Sequence, residues 1–596
     1  MNERKFHILK QIKILLIILF VLGLWGGLIY RLYVLQIRNS SVLVEKAEKQ
    51  QEGILKMEPR RGKILDRNNN LFAVSVKVKS LFCVPGEMEN IRESAEYLAS
   101  VLDLPVKQVM ERCSRKAKFA WIKRKLSDEE TTRIQEKPVK GIYMLDETKR
   151  LYPKGTLLSH VVGFVNIDND GMEGLERSLN GYLKGKPGLS RILHDAKGRE
   201  LVAERDIINQ PEDGADIVLT VDEVIQNIVE NEIERVYTEY NTKAVLAVVM
   251  NVKNGDILAI ANRPTYDPNN ISEYPVSSRK NACLINAYEP GSLFKVYTGA
   301  SVLNEGVIDL DDVIYCEHGA YRIAGQTLHD SHPLDNLTFA QVIAQSSNIG
   351  FAKAVSRISA ETFYDYIIRF GFGKPVGLPL EGEARGKVWH YKHWSGVSQF
   401  SMAMGHEIMV TILQLTRGLC TVANGGITVH PRLLDKLIDP HGNVIQEFKT
   451  EEGERVIRED TVKKLTKGLK MVVSEEGTAE KAAVEGYEVA GKTGTAQKIV
   501  DGRYSHSKYV SSFYGFLPAD DPQIVITVMV DEPFKKAYGG AVAAPAFSAI
   551  AERVMSYMFP RALTEMPKPE EINPQKSPEG LASGVKTAPH AEVTHG

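Results

Sequence analysis

The N-terminal part of the chain contains the strongest apolar pattern, an uncharged run over residues 14–30 that ends at Arg31. A helix of this length is about long enough to cross the hydrocarbon layer of a membrane. No small-x-small cleavage site follows the run, so we predict an uncleaved anchor at residues 14–34. Basic residues are denser before the run than after it, which favours residues 1–13 as a cytoplasmic tail. The alternative is a buried N-terminal core helix.

Between the anchor and residue 214, the apolar positions form only short elements. Alternation predicts a strand at residues 71–78, and helical periodicity predicts helix within residues 92–113. Residues 41–56 have the pattern of a polar helix, and a turn-rich segment follows at residues 59–70. We therefore predict an elongated α+β module over residues 35–214, which we call the pedestal.

A second module begins at residue 215, where a short apolar strand precedes an amphipathic helix that extends to about residue 240. Two β-type runs, residues 244–250 and 256–261, flank an Asn-Gly turn and predict a hairpin. Two further runs, residues 509–517 and 524–530, precede a predicted helix at residues 544–558.

The part of this module between its two sets of strands reads mostly as helix. We predict an α+β domain over residues 215–560, in which helices flank an antiparallel sheet and a cleft forms at one sheet edge. Residues 561–596 are rich in Pro, Lys, Glu and Ser with few apolar side chains, and we expect them to be disordered.

Composition excludes several classes of function. A chain of 596 residues suggests more than one domain. The 74 Lys+Arg against 75 Asp+Glu leave a net charge of -1, so no basic field favours nucleic acid. The five cysteines include no CxxC pair, which indicates neither a disulfide framework nor a zinc ribbon.

The first candidate motif is Ser292-x-x-Lys295, which follows the helix-breaking pair Pro290-Gly291. A serine at a helix N-terminus gains from the positive end of the helix dipole as it becomes alkoxide-like. Lys295 returns to the same face one turn later, where a partly neutral amine could act as base. Alone the motif is weak, since it also describes an ordinary helix cap.

The second motif is Ser346-Ser347-Asn348, at a predicted junction between two helices. A hydroxyl and a carboxamide can relay a proton and hold a substrate amide, although a polar turn has the same pattern.

The third motif is Lys492-Thr493-Gly494-Thr495, in a short β-type run. Glycine within a strand often marks close approach of a ligand to the backbone. Lys492 would supply positive charge, the two threonine hydroxyls would bind a carboxylate, and the Thr495 N–H would be an oxyanion donor.

The order Ser-x-x-Lys, Ser-x-Asn, Lys-Thr-Gly is far more specific than any one motif, and related motifs serve serine β-lactamases and penicillin-binding proteins. Together with the anchor, Arg61-Gly-Lys-Ile-Leu-Asp-Arg67 and Gly171-Met-Glu-Gly-Leu-Glu176, they make nearly the whole chain resemble the class B penicillin-binding proteins, the division-type (FtsI-like) branch in particular. His406 departs from the glutamine expected in this family. The resemblance implies a dimerisation-type pedestal and a transpeptidase domain similar to the serine β-lactamases.

The resemblance also implies an activity, the cross-linking of peptidoglycan stem peptides in septal wall synthesis. Ser292 would attack the penultimate D-Ala carbonyl of a D-Ala-D-Ala terminus and form an acyl-enzyme, which an amine of a neighbouring strand resolves. Lys295 would be the base, Ser346 and Lys492 would relay the proton to the leaving group, and Asn348 would position the acyl chain. Substrate binding would fall to Thr493, Gly494 and Thr495.

Further implications concern partners and location. No metal or organic cofactor is needed. β-Lactams would acylate the same serine as covalent inhibitors. The resemblance implies a SEDS glycosyltransferase (FtsW-like) and other divisome proteins as partners, and a place in the cytoplasmic membrane with the C-terminal bulk on the periplasmic side.

The sequence is also compatible with other interpretations. The stretch Cys316, His318, His329, Asp330 and His332 could furnish a zinc site, although its spacing matches no strong pattern and a polar surface loop is favoured. A carboxypeptidase or β-lactamase would share the motifs, but a small soluble hydrolase would lack the anchor and pedestal. A scaffold with a decayed site is disfavoured by the intact motifs. An elongation or sporulation paralogue would keep all of them.

Overall fold

A computed structural model describes residues 3–38, 52–115, 117, 119–194, 200–451, 453–534 and 538–560. The predicted disordered tail, residues 561–596, lies outside the described residues, as do residues 41–51 of the predicted polar helix. The end of that helix prediction is wrong, because Glu52–Met57 is a strand. This strand pairs with residues 188–193, so a distant partner decides its conformation.

The N-terminal apolar run is helical, as predicted. Helix α1, Glu3–Tyr33, continues into a π-helical turn, Val34–Arg38. The apolar part, Ile12–Arg38, has a mean hydropathy of 2.6, and none of it is buried against other parts of the structure. A helix of this length and composition fits a single-pass membrane anchor.

The part before residue 214 consists of short strands and helices. The strands are β1 Glu52–Met57, β2 Ile64–Leu65, β3 Leu71–Cys83, β4 Ala120–Lys123, β5 Ile142–Leu151, β6 Gly188–His194 and β7 Glu200–Asn209. The helices are α2 Ile91–Leu102, α3 Val106–Cys113, α4 Asp128–Glu136, α5 Ser159–Val162, α6 Gly174–Ser178 and α7 Asn180–Leu183. A small separate core, which includes Leu81, Leu98 and Ile122, forms between β3, β4 and helices α2 to α4.

The part after residue 214 contains a five-stranded sheet and most of the helices. The strands are β8 Asp216–Leu219, β9 Ala244–Asn251, β10 Ile257–Arg263, β11 Val313–Tyr315, β12 Ala320–Ile323, β13 Gln326–His329, β14 Asn336–Thr338, β15 Leu434–Ile438, β16 Val444–Glu447, β17 Ala490–Val500, β18 Arg503–Leu517 and β19 Ile524–Asp531. The helices are α8 Glu223–Glu239, α9 Ala282–Ile285, α10 Lys295–Asn304, α11 Phe339–Gln345, α12 Asn348–Val355, α13 Ala360–Arg369, α14 Ser398–Ala403, α15 Ile412–Ala423, α16 Glu459–Val472 and α17 Gly539–Met558.

The five-stranded sheet has the strand order β10-β9-β19-β18-β17, with antiparallel pairing throughout. Every residue of β19 is buried, although successive side chains of a strand point to opposite faces. Both faces of the sheet are therefore covered, and helices α8, α15 and α17 pack on its strands. The predicted α+β class, with helices flanking an antiparallel sheet, is confirmed.

The two parts of the chain share one sheet and one core. Strand β2 pairs in parallel with β8, which also pairs with β15, so the seven-stranded sheet β16-β15-β8-β2-β3-β4, in which β5 also pairs with β3, crosses residue 214. Beside it, Glu176 is fully buried between Arg61, at 2.5 Å, and Arg150, at 2.6 Å. The domain boundaries inferred from sequence remain a prediction.

Helix α17 begins at Gly539, five residues before the predicted start, and Pro545 lies inside it. Proline lacks the N–H that would bond the carbonyl four residues earlier, which makes it a typical sign of a helix start. Here the Gly539 N–H donates to Thr495 Oγ1 at 3.1 Å, so a tertiary contact fixes the first turn. The contact places the start of α17 against β17, the strand of the third motif.

Candidate active site

The nucleophile candidate Ser292 lies in a 3-10 turn, Gly291–Phe294, that leads directly into α10. Gly291 has φ of +53°, and a Cβ at this position would meet the Ala496 side chain at 3.1 Å. Its N–H donates to the Gly405 carbonyl at 3.1 Å. Ser292 is half-buried, and its hydroxyl forms no hydrogen bond with any described residue. The turn thus presents an unengaged hydroxyl at the start of a helix.

Lys295 is the first residue of α10, and its side chain is buried, with 1% of its surface exposed. Its Nζ donates to the Ser346 carbonyl at 2.7 Å, to Ser346 Oγ at 3.2 Å and to Asn348 Oδ1 at 2.7 Å. Burial lowers the pKa of Lys295 from 10.5 to about 7, against an opposing effect of the Asp330 carboxylate. At neutral pH the amine is therefore part neutral and part charged.

The Ser-x-Asn motif forms the junction of α11 and α12, as predicted. Ser346 ends α11 with φ 57° and ψ 38°, a left-handed conformation that costs roughly 1–2 kcal/mol for a residue with a Cβ. Ser347 caps α12 by accepting the Gly350 N–H at 2.9 Å. The reversal at Ser346 turns both its carbonyl and its hydroxyl toward Lys295.

The Lys-Thr-Gly motif lies on β17, an edge strand of the five-stranded sheet. Gly494 is required by packing, because a Cβ there would come within 2.4 Å of Ser512 Oγ and 2.8 Å of Leu293 Cγ. On the neighbouring strand, the Tyr514 hydroxyl donates to the Leu293 carbonyl at 2.5 Å. These contacts press β17 against the turn that carries Ser292.

Lys492 is fully buried on the same strand, and its Nζ donates to the Thr493 carbonyl at 3.3 Å. Burial, and then the charge of Lys295, hold the pKa of Lys492 well below its ordinary value. The repulsion between the two buried amines disfavours the state in which both are protonated. The site can therefore hold and release a proton within this pair of lysines.

The two threonines of the third motif already have partners. Thr493 Oγ1 is 2.7 Å from Thr478 Oγ1, and Thr495 Oγ1 accepts the Gly539 N–H. A substrate carboxylate would share these hydroxyls with their present partners. The predicted roles of Thr493, Gly494 and Thr495 in substrate binding remain a prediction, as do the catalytic roles of the other motif residues.

Two acidic residues beside the motifs have contacts that the sequence reasoning missed. Asp330 accepts from Ser347 Oγ and from the backbone N–H of Asn348. Glu289 lies three residues before Ser292 and accepts the Glu407 N–H at 2.9 Å. Its other oxygen is 3.0 Å from His406 Nδ1, and no periodic signal in the sequence indicates either contact.

The alternative of a zinc site has no support in the described residues, which contain no cluster of three suitable side chains. Cys316 is buried 3.5 Å from Ser347 Oγ, and His318 pairs with Asp335 at 2.5 Å. Asp330 faces α12 instead of the histidines.

Comparison with family models finds two matches. The model of the penicillin binding protein transpeptidase domain matches residues 245–552, and that of the penicillin-binding protein dimerisation domain matches residues 56–219. Together they include the five-stranded sheet, the three motifs and most of the pedestal.

Individual proteins match over most of the chain. Stage V sporulation protein D of Bacillus subtilis (strain 168) is 37% identical over 501 residues, which is 82% of this chain and 77% of that protein. Peptidoglycan D,D-transpeptidase FtsI of Escherichia coli (strain K12) is 32% identical over 571 residues, 94% and 93% of the two chains. A crystal structure of penicillin binding protein 3 from Mycobacterium tuberculosis, complexed with aztreonam, has a TM-score of 0.67 and 27% identity, and covers 85% of this chain and 97% of that one.

Proposed function

The chain belongs to the class B penicillin-binding proteins and is a peptidoglycan D,D-transpeptidase, and we propose that Ser292 is its nucleophile and that it forms cross-links in the division septum. The observation that carries the assignment of the site is the meeting of three distant segments. Lys295, one turn after Ser292, donates hydrogen bonds to Ser346 and Asn348. The charge of Lys295 also lowers the pKa of Lys492, which belongs to the third segment.

The contacts of Lys295 support its role as the base for acylation. The Ser346 carbonyl and Asn348 Oδ1 can only accept hydrogen bonds, so they engage two of the N–H bonds of the amine. In the neutral form the remaining position is a lone pair, available to a hydroxyl. Ser292 Oγ would give its proton to this lone pair as it attacks the penultimate D-Ala carbonyl.

Collapse of the tetrahedral intermediate requires a proton on the leaving D-Ala amine. Ser346 Oγ, 3.2 Å from Lys295 Nζ, would pass that proton on, with Lys492 as the second buried amine of the relay. Asn348 would hold the acyl chain, and Thr493 and Thr495 would bind the terminal carboxylate. An amine of a neighbouring stem peptide would then attack the acyl-enzyme and release Ser292.

β-Lactams would acylate Ser292 by the same attack. Structures of penicillin binding protein 3 from Mycobacterium tuberculosis complexed with aztreonam and with ampicillin support this for a relative of 27% identity. In this chain Ser292 would attack the carbonyl of the β-lactam ring in place of the D-Ala carbonyl.

The proposed location and partners follow from the anchor. With the basic residues of the tail on the inside, the bulk of the chain would lie on the periplasmic side of the cytoplasmic membrane. We propose that an FtsW-like SEDS glycosyltransferase binds the anchor and pedestal and supplies new glycan strands, with other divisome proteins alongside.

A second candidate role is sporulation, which the 37% identity to stage V sporulation protein D favours. The two roles predict different phenotypes. Depletion of a septal enzyme would produce filaments during growth, whereas loss of a sporulation enzyme would leave growth unchanged and block spore formation.

The catalytic assignment is tested by labelling the solubilised full chain with a fluorescent penicillin, followed by intact-mass analysis. We expect one stable adduct on Ser292, none in Ser292→Ala, and an unchanged adduct in Ser474→Ala, which removes an exposed hydroxyl at the end of α16. Labelling of folded Ser292→Ala would overturn the assignment. Rapid loss of the label, with no transfer to an added D-amino acid, would identify a hydrolase instead.

A further inference from the structure

The loop between β13 and β14 contributes a carboxylate to the Ser-x-Asn junction. Asp330, the first residue after β13, accepts from Ser347 Oγ at 2.7 Å with one oxygen. Its other oxygen accepts the N–H groups of Asn348, at 2.5 Å, and Ile349, at 3.2 Å. Both oxygens are thus engaged by the first turn of α12, whose free N–H groups favour a negative charge.

His329, the residue before Asp330, also binds Asn348. The His329 carbonyl accepts from Asn348 Nδ2 at 2.6 Å, which leaves Asn348 Oδ1 facing Lys295 Nζ at 2.7 Å. Two consecutive loop residues therefore fix the backbone and the carboxamide of Asn348. Without them the amide could rotate and present a donor instead of an acceptor to the lysine.

The same carboxylate supports a strained backbone. Ser346 has a left-handed conformation, and its carbonyl accepts from Lys295 only because the chain reverses there. Strain of this kind persists where the neighbouring structure over-determines it. The bonds from Ser347 and Asn348 to Asp330 hold the residues that follow the reversal.

Asp330 also acts on Lys295 through its charge. The charges that act on the two buried amines come from different elements. Asp330, in the β13–β14 loop, acts on Lys295, and Lys295, at the start of α10, acts on Lys492 of β17. The carboxylate raises the pKa of Lys295, against the larger effect of burial, and the charge of Lys295 lowers the pKa of Lys492, after the larger effect of burial.

We infer that Asp330 is a positioning residue for acylation, which locks the Ser346–Asn348 junction against Lys295 and supplies the negative charge opposite its amine. The inference rests on the proposed function, because it assumes that Lys295 is the base for attack by Ser292. Asp330 would act both through its geometry and through its charge, and two substitutions can distinguish these effects.

Asp330→Asn keeps the shape and an acceptor oxygen for the backbone N–H groups, but it removes the charge. Loss of the negative charge favours the neutral amine, so the acid limb of the acylation rate should move to lower pH by about half a unit or more. Asp330→Ala removes both effects, and its acylation rate should fall by about 10- to 100-fold over the whole pH range.

The experiment measures the rate constant of acylation by a fluorescent penicillin, with the full chain in detergent, from pH 5 to 9. The matched control is Asp335→Asn, which removes a charge from the same loop at an exposed pair with His318. Asp335→Asn should leave the acid limb of the acylation rate within about 0.2 pH units of its wild-type position, since solvent screens an exposed ion pair.

An unshifted limb in Asp330→Asn together with wild-type rates in folded Asp330→Ala would overturn the inference about Asp330. Failure of the proposed function has a different result, namely that the wild-type chain is not acylated on Ser292 at any pH. The inference about Asp330 would also be overturned if the acid limb moved equally in Asp330→Asn and Asp335→Asn, because the effect would then be one of net charge.

Discussion

The acylation rate should depend on pH through the protonation state of Lys295. Burial brings the pKa of this amine from 10.5 to about 7. An amine with a pKa of 10.5 is neutral in only about 3 molecules per 10,000 at pH 7, whereas one with a pKa of 7 is neutral in about half, a gain on the order of 10³-fold. The buried position therefore supplies a usable base at neutral pH.

The expected profile follows from this fraction. The rate constant for acylation by a fluorescent penicillin, measured by stopped flow, should rise about tenfold per pH unit up to about pH 6.5 and level off above pH 7.5. Lys295→Met should lower the plateau by about 10²- to 10⁴-fold. A rate that is flat from pH 5 to 8, or a limb centred near pH 10, would refute the reasoning.

Folding stability provides a second measurement of the same shift. Between pH 7 and 10.5 the unfolded chain binds a proton at Lys295 that the folded chain lacks, so stability rises with pH in this window. Relative to Lys295→Met, the free energy of unfolding of the wild type should increase by about 1.4 kcal/mol per pH unit. Parallel pH curves for the two proteins, from chemical denaturation, would contradict the assignment.

Three further substitutions test the packing and the polar contacts. Gly494→Ala should slow acylation by about tenfold or more and lower the melting temperature, because the new Cβ would overlap Ser512 Oγ and Leu293. Glu289→Ala should slow acylation by about 10- to 100-fold, because the turn before Ser292 loses the bond to the Glu407 N–H and the contact with His406. Arg61→Met should lower the free energy of unfolding by about 3–5 kcal/mol, since it leaves a fully buried glutamate with one cation fewer, but should leave the acylation rate of the folded protein unchanged.

Each of these variants has a matched control. Gly181→Ala adds a Cβ to a helix where nothing lies within 4 Å, and it should be neutral. His406→Gln retains a donor toward Glu289 and should change the acylation rate by less than about threefold. Arg60→Met breaks an exposed ion pair and should cost less than about 1 kcal/mol. Equal effects in a variant and its control would contradict the corresponding mechanism.

Local patterns in the sequence were sufficient for most strands of the five-stranded sheet. The hairpin predicted at residues 244–250 and 256–261 is β9 and β10, and the runs at residues 509–517 and 524–530 lie within β18 and β19. These segments have strong apolar runs bounded by turn residues, so burial and local propensity agree.

Predictions failed or were incomplete where a distant contact decides the conformation. Residues 52–57 have the composition of a polar helix but pair with residues 188–193 as a strand. Helix α17 starts five residues early because its first N–H meets Thr495. In each case a partner far away in sequence outweighs a weak local preference.

The properties of the active site also depend partly on local sequence and partly on long-range contacts. The available residue types, the order of the three motifs and the spacing of Ser292 and Lys295 by one turn can be read from the sequence, because they depend on residue order and local periodicity. The protonation of Lys295 and the orientation of Asn348 instead follow from tertiary contacts. Both depend on burial, which excludes solvent, and on contacts between residues as much as 53 positions apart in the chain, among them those of a single carboxylate.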